Sequence, residues 1–393
     1  MPFNNHRGRP QRSFSPIRRP QGKRRIQSFS DVSKFINKAV ITEEVEVFVP
    51  EHSFQDFKLA PVLDKNIVAK GFTTPTPIQD RAIPHVLKGE DIVGIANTGT
   101  GKTAAFLIPL INKVLNNPKE QVLIIAPVRE LAMQINEELK EFAKNSGFFS
   151  TVLIGGANMG VQIRELRQRP QFVIGTPGRI KDHIESGYLD LVNFKTVVLD
   201  EADRMLDMGF INDVRLLLSK MAKDRHTLFF SATLSHEIEK LIHEFLRTPV
   251  RISVKTQDTS KNIDQDIIRI QGKTKFQVLE ELLLQKEFSK TLVFSRTKHG
   301  ADKIAKALTD AGINASAIHG NKNQTARSRV LEDFKKERVK VLVATDVAAR
   351  GLDISDISHV INFDLPATYE DYIHRIGRTG RAQKKGKALT FIE

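Results

Sequence analysis

The chain has 393 residues, of which 40% are hydrophobic and 27% are charged, which predicts a soluble globular protein with two hydrophobic cores. It contains no cysteine, which excludes disulfides, thiolate nucleophiles and cysteine-ligated metal sites and favours a cytoplasmic location. No apolar run approaches the roughly 18 to 20 residues of a membrane helix, so we expect no membrane association. The formal net charge of +14 indicates a polyanionic partner.

The N-terminal segment concentrates this charge. Residues 1–30 carry eight Arg or Lys and no acid, interleaved with Pro, Gly, Ser and three phenylalanines. Such a composition cannot bury enough apolar surface to fold, so residues 1–50 are predicted to be a disordered basic arm and linker. We interpret the arm as a sequence-independent tether to nucleic acid, and the alternative is a solubilising tail.

Short β-branched runs alternate with helical patterns from about residue 54, which predicts parallel sheets with helices on both faces. The polar stretch 251–262 breaks this alternation and is predicted to link two tandem α/β domains, residues 51–250 and 263–393. Ligands of such sheets bind beyond the carboxyl ends of the strands. The predicted strands are 91–96, 121–126, 150–155, 171–176, 195–200 and 226–231, then 290–295, 314–320, 340–346, 358–364 and 387–393.

A phosphate-binding loop follows the first predicted strand. The segment ANTGTGKT, residues 96–103, precedes an apolar helix, so its backbone N–H groups and the helix N-terminus suit a triphosphate. Lys102 is predicted to reach the β and γ phosphates and Thr103 to hold Mg²⁺. Ala96 stands where the general pattern has glycine. The residues predicted to bind the nucleotide here are Thr98, Gly99, Thr100, Gly101, Lys102 and Thr103.

Acidic residues end another predicted strand, in VVLDEAD, residues 197–203. We assign Asp200 to the metal and Glu201 to orienting or deprotonating the attacking water. The alternative is that these acids only favour the start of a helix through its dipole.

The segments ANTGTGKT, DEAD (200–203), SAT (231–233) and HRIGRTGR (374–381) occur in this order and spacing, and from about residue 54 onward the chain resembles the DEAD-box RNA helicases. The resemblance implies two RecA-like P-loop domains, ATP and Mg²⁺. GFTTPTPIQ, ending at Gln79, looks like the family's adenine-recognising segment, which implies that Gln79 contacts adenine and that Phe54 and Phe72 contribute to this site. The alternative for both phenylalanines is core packing.

Other segments resemble the family's RNA-binding motifs and share exposed N–H groups, hydroxyls and single arginines, which suit phosphate and ribose rather than base edges. For each arginine the alternative is a surface salt bridge. Val128 stands where the family usually has threonine. The residues that the resemblance places on the RNA track are Arg129, Gly156, Thr176, Arg179, Arg327, Thr345 and Asp346.

The resemblance also implies that Arg378 and Arg381 reach the γ phosphate across the cleft and that Asp353 contacts the ATP ribose. Arg375 is left between a linking role with His374 and a contact to RNA. Ser231, Thr233 and His374 are assigned to coupling between the sites. The alternative for the two hydroxyls is that they cap the following helix.

Taken together, these motifs predict an RNA-stimulated ATPase that opens short duplexes by closing its cleft on ATP and one RNA strand, without regard to RNA sequence. The alternative is an ATP-controlled RNA clamp or annealing factor. A plain P-loop kinase is disfavoured by the second domain. We expect a monomer. The chain ends directly after a predicted strand, without the C-terminal flank that family members often carry.

Overall fold

The structure, a computed structural model, describes residue 36 and residues 48–97, 99–254, 263–349, 354, 356–380 and 386–392. Most of the predicted basic arm and residues 255–262 of the predicted linker therefore lie outside the described residues. The described residues form two α/β units, each with its own sheet.

The first sheet is parallel throughout and has seven strands among the described residues, in the order β3-β4-β2-β5-β6-β1-β7. Successive residues of a strand face opposite sides, so Ile92 packs in one hydrophobic core and Val93 in the other. Helices cover both cores. The strands are β1 (Ile92–Ile95), β2 (Val122–Ile125), β3 (Ser150–Leu153), β4 (Phe172–Gly175), β5 (Thr196–Leu199), β6 (His226–Ser231) and β7 (Val250–Ser253).

The second sheet is also parallel and has six strands among the described residues, in the order β10-β11-β9-β12-β13-β8. It has the same division into two cores, with Leu292 on one face and Val293 on the other. The strands are β8 (Ile263–Arg269), β9 (Thr291–Phe294), β10 (Ala315–Ile318), β11 (Val341–Ala344), β12 (His359–Asn362) and β13 (Gly386–Ile392).

A short 3₁₀ turn, Phe54–Phe57, and the α-helices connect the strands. Many helices begin where a small polar side chain accepts a backbone N–H, as Asn158, Ser235 and Thr274 do. The helices of the first unit are α1 (Pro61–Ala69), α2 (Pro77–Lys88), α3 (Lys102–Asn116), α4 (Arg129–Phe142), α5 (Met159–Arg167), α6 (Pro177–Glu185), α7 (Ala202–Asp207), α8 (Ile211–Ser219) and α9 (His236–Phe245). Those of the second are α10 (Lys275–Leu283), α11 (Lys298–Asp310), α12 (Gln324–Lys335), α13 (Asp346–Ala349) and α14 (Tyr369–Ile376).

Every strand predicted from the sequence is present, but two edge strands were missed. Strand β7 pairs with β1 and takes residues 251–253 from the predicted linker, and β8 pairs with β13. Both lie at the end of a sheet and alternate buried with exposed residues, so neither has the continuous apolar run of a central strand. Among the described helices, none has both the length and the apolar character needed to span a membrane.

A buried histidine makes the stability of the second unit depend on pH. The His359 ring stacks on Phe288 with centroids 4.0 Å apart, and burial, followed by repulsion from Lys387, lowers its pKa to about 4. The unfolded chain therefore binds this proton more tightly than the folded chain. The stability that His359 contributes is complete above its unfolded pKa of about 6.5 and is lost as pH falls toward 4.

His359→Phe keeps the stacking but does not titrate. We therefore expect this variant to lose less unfolding free energy than the wild type when the pH falls from 7 to 5. Denaturant unfolding followed by circular dichroism at both pH values measures this loss. The matched control is His299→Phe, because His299 is exposed. Equal pH dependence in the wild type and His359→Phe would contradict the assignment.

Candidate nucleotide and RNA site

The predicted phosphate loop connects β1 to the N-terminus of α3. Lys102 is the first residue of α3, and its Nζ donates to the carbonyl of Ala96, 2.8 Å away. Ala96 is not among the described residues with positive φ, so its backbone does not need the freedom of glycine there. Gly101 does need it, because its φ is 92° and a Cβ would lie 2.5 Å from Nε2 of Gln79.

Gln79 links the loop to α2. Its Oε1 accepts the N–H of Thr76, and its Nε2 donates to the carbonyl of Gly101, 3.2 Å away. The hydroxyl of Thr76 donates to the carbonyl of Thr100 at 2.8 Å. The segment predicted to recognise adenine therefore holds the phosphate loop directly.

The two phenylalanines assigned to adenine are packed among other aromatic rings. Phe54 is 4% exposed and forms edge-to-face contacts with Phe57 and Phe72, and Phe72 contacts Phe142 in the same way. This packing accounts for both side chains as core residues. A contact with adenine stays a prediction for each.

Two carboxylates lie at the end of β5, beside Lys102. Asp200 is 2% exposed, and burial raises its pKa to about 6 although Lys102 opposes the shift. Burial also acts to raise the pKa of Glu201, but Arg204, Lys102 and Arg378 outweigh it and lower the pKa. Burial thus acts on both carboxyls, but the neighbouring cations keep Glu201 ionised, whereas the pKa of Asp200 stays raised.

Arg204 holds Glu201 in place. Its Nη1 donates to Oε2 of Glu201 at 2.5 Å, across one turn of α7, and both side chains are buried. Glu201 itself has a φ of 52° at the start of the helix. The alternative that Glu201 serves only the helix dipole leaves this directed contact unexplained.

Asp203 joins the DEAD segment to the SAT segment. Its Oδ2 accepts the N–H groups of Ala232 and Thr233 at 3.0 and 2.9 Å, and the Thr233 hydroxyl at 3.1 Å. The Ser231 hydroxyl donates to the carbonyl of Thr233. Ser235 caps α9, so the alternative that Ser231 and Thr233 cap this helix is wrong.

Arginines predicted to contact RNA gather around the two consecutive glycines, Gly155 and Gly156. Gly156 has a φ of 79°, and a Cβ there would lie 2.5 Å from Nη1 of Arg129. Arg179 donates to the carbonyl of Ala157 at 3.4 Å. Burial lowers the pKa of Arg129, and repulsion from Arg327 and Arg179 lowers it further. This concentration of positive charge suits an anion.

An ion pair joins the two units beside this cluster. Nη2 of Arg327 on α12 lies 2.6 Å from Oε1 of Glu130 on α4, and both side chains are almost fully buried. Arg327 thus contacts the other unit, and its contact with RNA stays a prediction. Val128, which precedes α4, is 6% exposed and packs in the core, so no hydroxyl stands at that position.

Arg375 is a structural residue of the second unit. It forms two hydrogen bonds with the Asp346 carboxylate and donates to Oδ1 of Asn362 and the carbonyl of Asp364. Its guanidinium lies 4.9 Å from the centroid of Phe294. The Asp346 carboxylate is therefore engaged by Arg375, and its predicted place on the RNA track is untested.

The remaining predicted residues fall into two groups. Gly99, Thr100 and Thr103 lie in or beside the phosphate loop. Thr176 and Thr345 follow strands β4 and β11, at the carboxyl edges of their sheets. His374 lies on α14, between Asp371 and Arg378. Thr98, Asp353 and Arg381 lie outside the described residues.

Comparisons with known proteins agree with this arrangement. Residues 76–241 match the DEAD/DEAH box helicase family model, and residues 274–383 match the helicase conserved C-terminal domain. The chain is 46% identical to the DEAD-box ATP-dependent RNA helicase CshA of Bacillus subtilis, over 86% of this chain and 69% of that protein. The chain belongs to the DEAD-box helicase family.

The chain spans about two thirds of the length of the relatives that it matches. CshA of Bacillus cereus is 47% identical over 86% of this chain and 65% of that protein. Among solved structures, S. cerevisiae Dbp5 bound to RNA and ADP BeF3 is 32% identical, with a TM-score of 0.76 over 87% of this chain and 89% of that one. The two parallel-sheet units are therefore RecA-like domains.

Sequence reasoning missed three functional contacts of this DEAD-box chain. The i,i+3 spacing of Glu201 and Arg204 was a usable signal for an ion pair on a helix. Asp203 stood in the quoted motif, but its carboxylate was given no role. Glu130 pairs with Arg327 of the other domain, and no local pattern indicates such a contact.

We expect Arg375→Leu to destabilise the second domain by about 3–5 kcal/mol, because it leaves the Asp346 carboxylate without its buried partner. The denaturant midpoint of that domain measures the change. Arg329→Leu is the matched control, since Arg329 is exposed on α12. Unchanged stability with weaker RNA binding would instead support the RNA contact for Arg375.

Proposed function

We propose that the chain is an RNA-stimulated ATPase that closes its two domains on ATP and one RNA strand and so separates short duplexes. The observation that carries this proposal is that the two domains contact each other through the 2.6 Å ion pair of Arg327 and Glu130, with the charge of Arg378 from the second domain helping to lower the pKa of Glu201 in the first. A P-loop and an arginine from the facing domain are the parts that in-line attack on a γ phosphate requires.

ATP is the substrate that these parts fit. Lys102 and the N–H groups at the start of α3 are placed to bind the phosphates. The family resemblance assigns Gln79 to the adenine edge, and its amide must then exchange a bond to Thr76 or Gly101 for one to adenine. Lys102 gives up its bond to the carbonyl of Ala96 when it binds phosphate. Because Gln79 and Thr76 hold the loop, nucleotide binding and the adenine contact are mechanically linked.

The family implies a Mg²⁺ ion with the nucleotide, and the residues fit one. Asp200 is a buried carboxylate whose raised pKa shows that nearby cations compensate it incompletely, and Thr103 supplies a hydroxyl close by in α3. Oxygen ligands of this kind suit a hard cation. When bound, the ion supplies charge neutralisation on the phosphates.

Glu201 and Arg378 act on the reacting atoms. Glu201, kept ionised by Arg204, Lys102 and Arg378, accepts a hydrogen bond from the attacking water and receives its proton. Arg378 stabilises the negative charge that develops on the γ phosphate, and Arg381 is assigned the same role. Domain closure is thus required for turnover, since the arginines belong to the second domain.

RNA binds to both domains in the same closed arrangement. Arg129, Gly156 and Arg179 of the first domain form one part of the phosphate track, and Thr345 lies on the facing domain. Phosphates relieve the repulsion among the arginines, which favours the closed arrangement. Dbp5, whose structure is similar to this one, is bound to RNA and ADP BeF3. Asp203, bonded to the SAT segment, connects the catalytic turn to β6.

We expect steady-state ATP hydrolysis with Mg²⁺ to be stimulated by single-stranded RNA and little by DNA of the same sequence. Lys102→Ala should weaken ATP binding. Glu201→Gln should retain ATP and RNA binding but lower kcat by about 10²- to 10⁴-fold, because the carboxylate no longer accepts the proton. Exposed Glu244→Gln is the control.

A Glu201→Gln rate equal to the wild-type rate would contradict the assignment of the water. Duplex opening and annealing measured side by side decide between the helicase and the clamp. If annealing persists and ATP produces no unwinding, the clamp or annealing factor is the correct function.

We expect Arg204→Gln to lower kcat by about 10- to 100-fold with little change in KM for ATP, because Glu201 loses its orientation but the nucleotide site is intact. Arg215→Gln is the matched control, because Arg215 is half-exposed and pairs with Glu244.

The double variant Glu201→Gln/Arg204→Gln should be no slower than Glu201→Gln alone, because Arg204 acts through Glu201. Multiplicative losses in the double variant would show instead that Arg204 acts independently of Glu201.

A further inference from the structure

A cavity of about 270 Å³ lies between the two domains, bounded by α4 on one side and α12 and Ile354 on the other. None of its lining residues belongs to the phosphate loop, the DEAD segment or the SAT segment. Its volume is just below the roughly 300–1,000 Å³ typical of small-molecule sites, which favours a thin ligand with few atoms.

The buried end of this cavity contains hydrogen-bond acceptors without donors. Glu130 and Gln324 are 8% and 9% exposed. Gln324 donates its Nε2 to Sδ of Met133, but its Oε1 accepts no hydrogen bond, and neither does Oε2 of Glu130. Buried acceptors without a donor are energetically unfavourable. A ligand that brings N–H donors into this cavity would satisfy both oxygens.

The side chains change character from the buried end to the mouth. Met133 and Leu331 are partly buried and supply apolar walls in the middle, whereas Glu137 and Glu332 are exposed at the mouth. Glu130 and Glu137 are two turns apart on α4, a separation of about 10.5 Å along the helix. A carboxylate thus stands at each end of an apolar passage.

Cations also face this cavity. Lys335 lines the mouth, Lys336 pairs with Glu332, and Arg327 pairs with Glu130 on the side of Oε1. The charge of Arg129 also interacts with Glu130. Lys335 and Lys336 are solvent-exposed, so their effect is screened. Oε2 of Glu130 and Oε1 of Gln324 still lack a donor when these ion pairs are made.

We propose that this cavity binds a linear aliphatic diamine or a longer polyamine. One ammonium donates to Oε2 of Glu130 and Oε1 of Gln324, since an ammonium offers three donors around a compact charge. The methylene chain lies between Met133 and Leu331. The second ammonium lies at the mouth, near Glu137 and Glu332.

The cavity walls come from different domains, so the site is complete only when the domains are closed. A bound diamine consequently favours closure, and by linkage it strengthens the binding of any ligand that also favours closure. This coupling rests on the proposed function, whereas the binding of the diamine to the closed chain does not.

Equilibrium dialysis with radiolabelled putrescine tests the site, using the full chain with a non-hydrolysable ATP analogue, Mg²⁺ and a short single-stranded RNA. We expect one saturable putrescine per chain above the amount bound by RNA and nucleotide alone. Glu137→Gln/Glu332→Gln should weaken binding by about tenfold. The control is Glu185→Gln, an exposed glutamate at the end of α6, which should bind as the wild type does.

A second variant distinguishes putrescine binding inside the cavity from binding to acidic side chains on the surface. Ser328→Leu fills the half-buried middle of the cavity without changing charge, and it should abolish saturable binding. Equal binding by the wild type, the double glutamine variant and Ser328→Leu would overturn the proposal. Absence of saturable binding to the wild type would also overturn it and would mean that water alone fills the cavity.

The same samples distinguish this failure from failure of the proposed function. ATP hydrolysis stimulated by RNA, in a chain that binds no putrescine, rejects only the diamine site. Saturable putrescine binding in a chain without RNA-stimulated hydrolysis supports the site and rejects the proposed function.

Discussion

Burial of charge at the carboxyl edges of two parallel sheets is the constraint on which the rest of this structure depends. A buried ionised group is tolerated only when a partner stands beside it, and three ion pairs meet this demand. Glu201 pairs with Arg204 and Arg375 with Asp346, each within one domain. Glu130 pairs with Arg327 across the domains. The first two keep each domain's site in shape, and the third depends on how the domains are placed.

The central strands were predictable because they are buried on both faces. The residues of β2, VLII, pack alternately in the cores on the two faces of the sheet, so the strand appears in the sequence as an uninterrupted apolar segment. The edge strands β7 and β8 bury fewer residues, and their polar positions resemble a linker. The same reason explains why the predicted linker began too early.

The candidate site was predictable where chemistry depends on neighbours in sequence. The loop ending in Lys102 and Thr103 and the acidic turn at Asp200 each follow one strand, so their position at the sheet edge follows from the strand assignment. The partner of Arg327 was not predictable, because its ion pair depends on the placement of one domain against the other. Arg375 also defied sequence reasoning, since a buried arginine and a phosphate-binding arginine look alike in a basic run.

Two groups of charges beside the domain boundary, one near β5 and one near α4, have opposite excess charge. Near β5, Asp200 and Glu201 place two carboxylates together, and burial, with repulsion from Glu201 as a smaller cause, raises the pKa of Asp200 to about 6. Near α4, Arg129 is repelled by Arg327 and Arg179. The negative charge near β5 is reduced by cations, which Lys102 of the first domain and Arg378 of the second supply. The positive charge near α4 is reduced by anions, and among the described residues Glu130 is the main one.

Without bound RNA, domain closure is therefore electrostatically more favourable near β5 than near α4. Arg378 approaches Glu201 favourably, whereas Arg327 approaches Arg129 unfavourably and is offset by Glu130. A phosphate backbone placed among the arginines removes the unfavourable part. An anionic strand would then stabilise the same closed arrangement that brings the charge of Arg378 toward Glu201, which is the physical reason for the RNA-stimulated turnover that we propose.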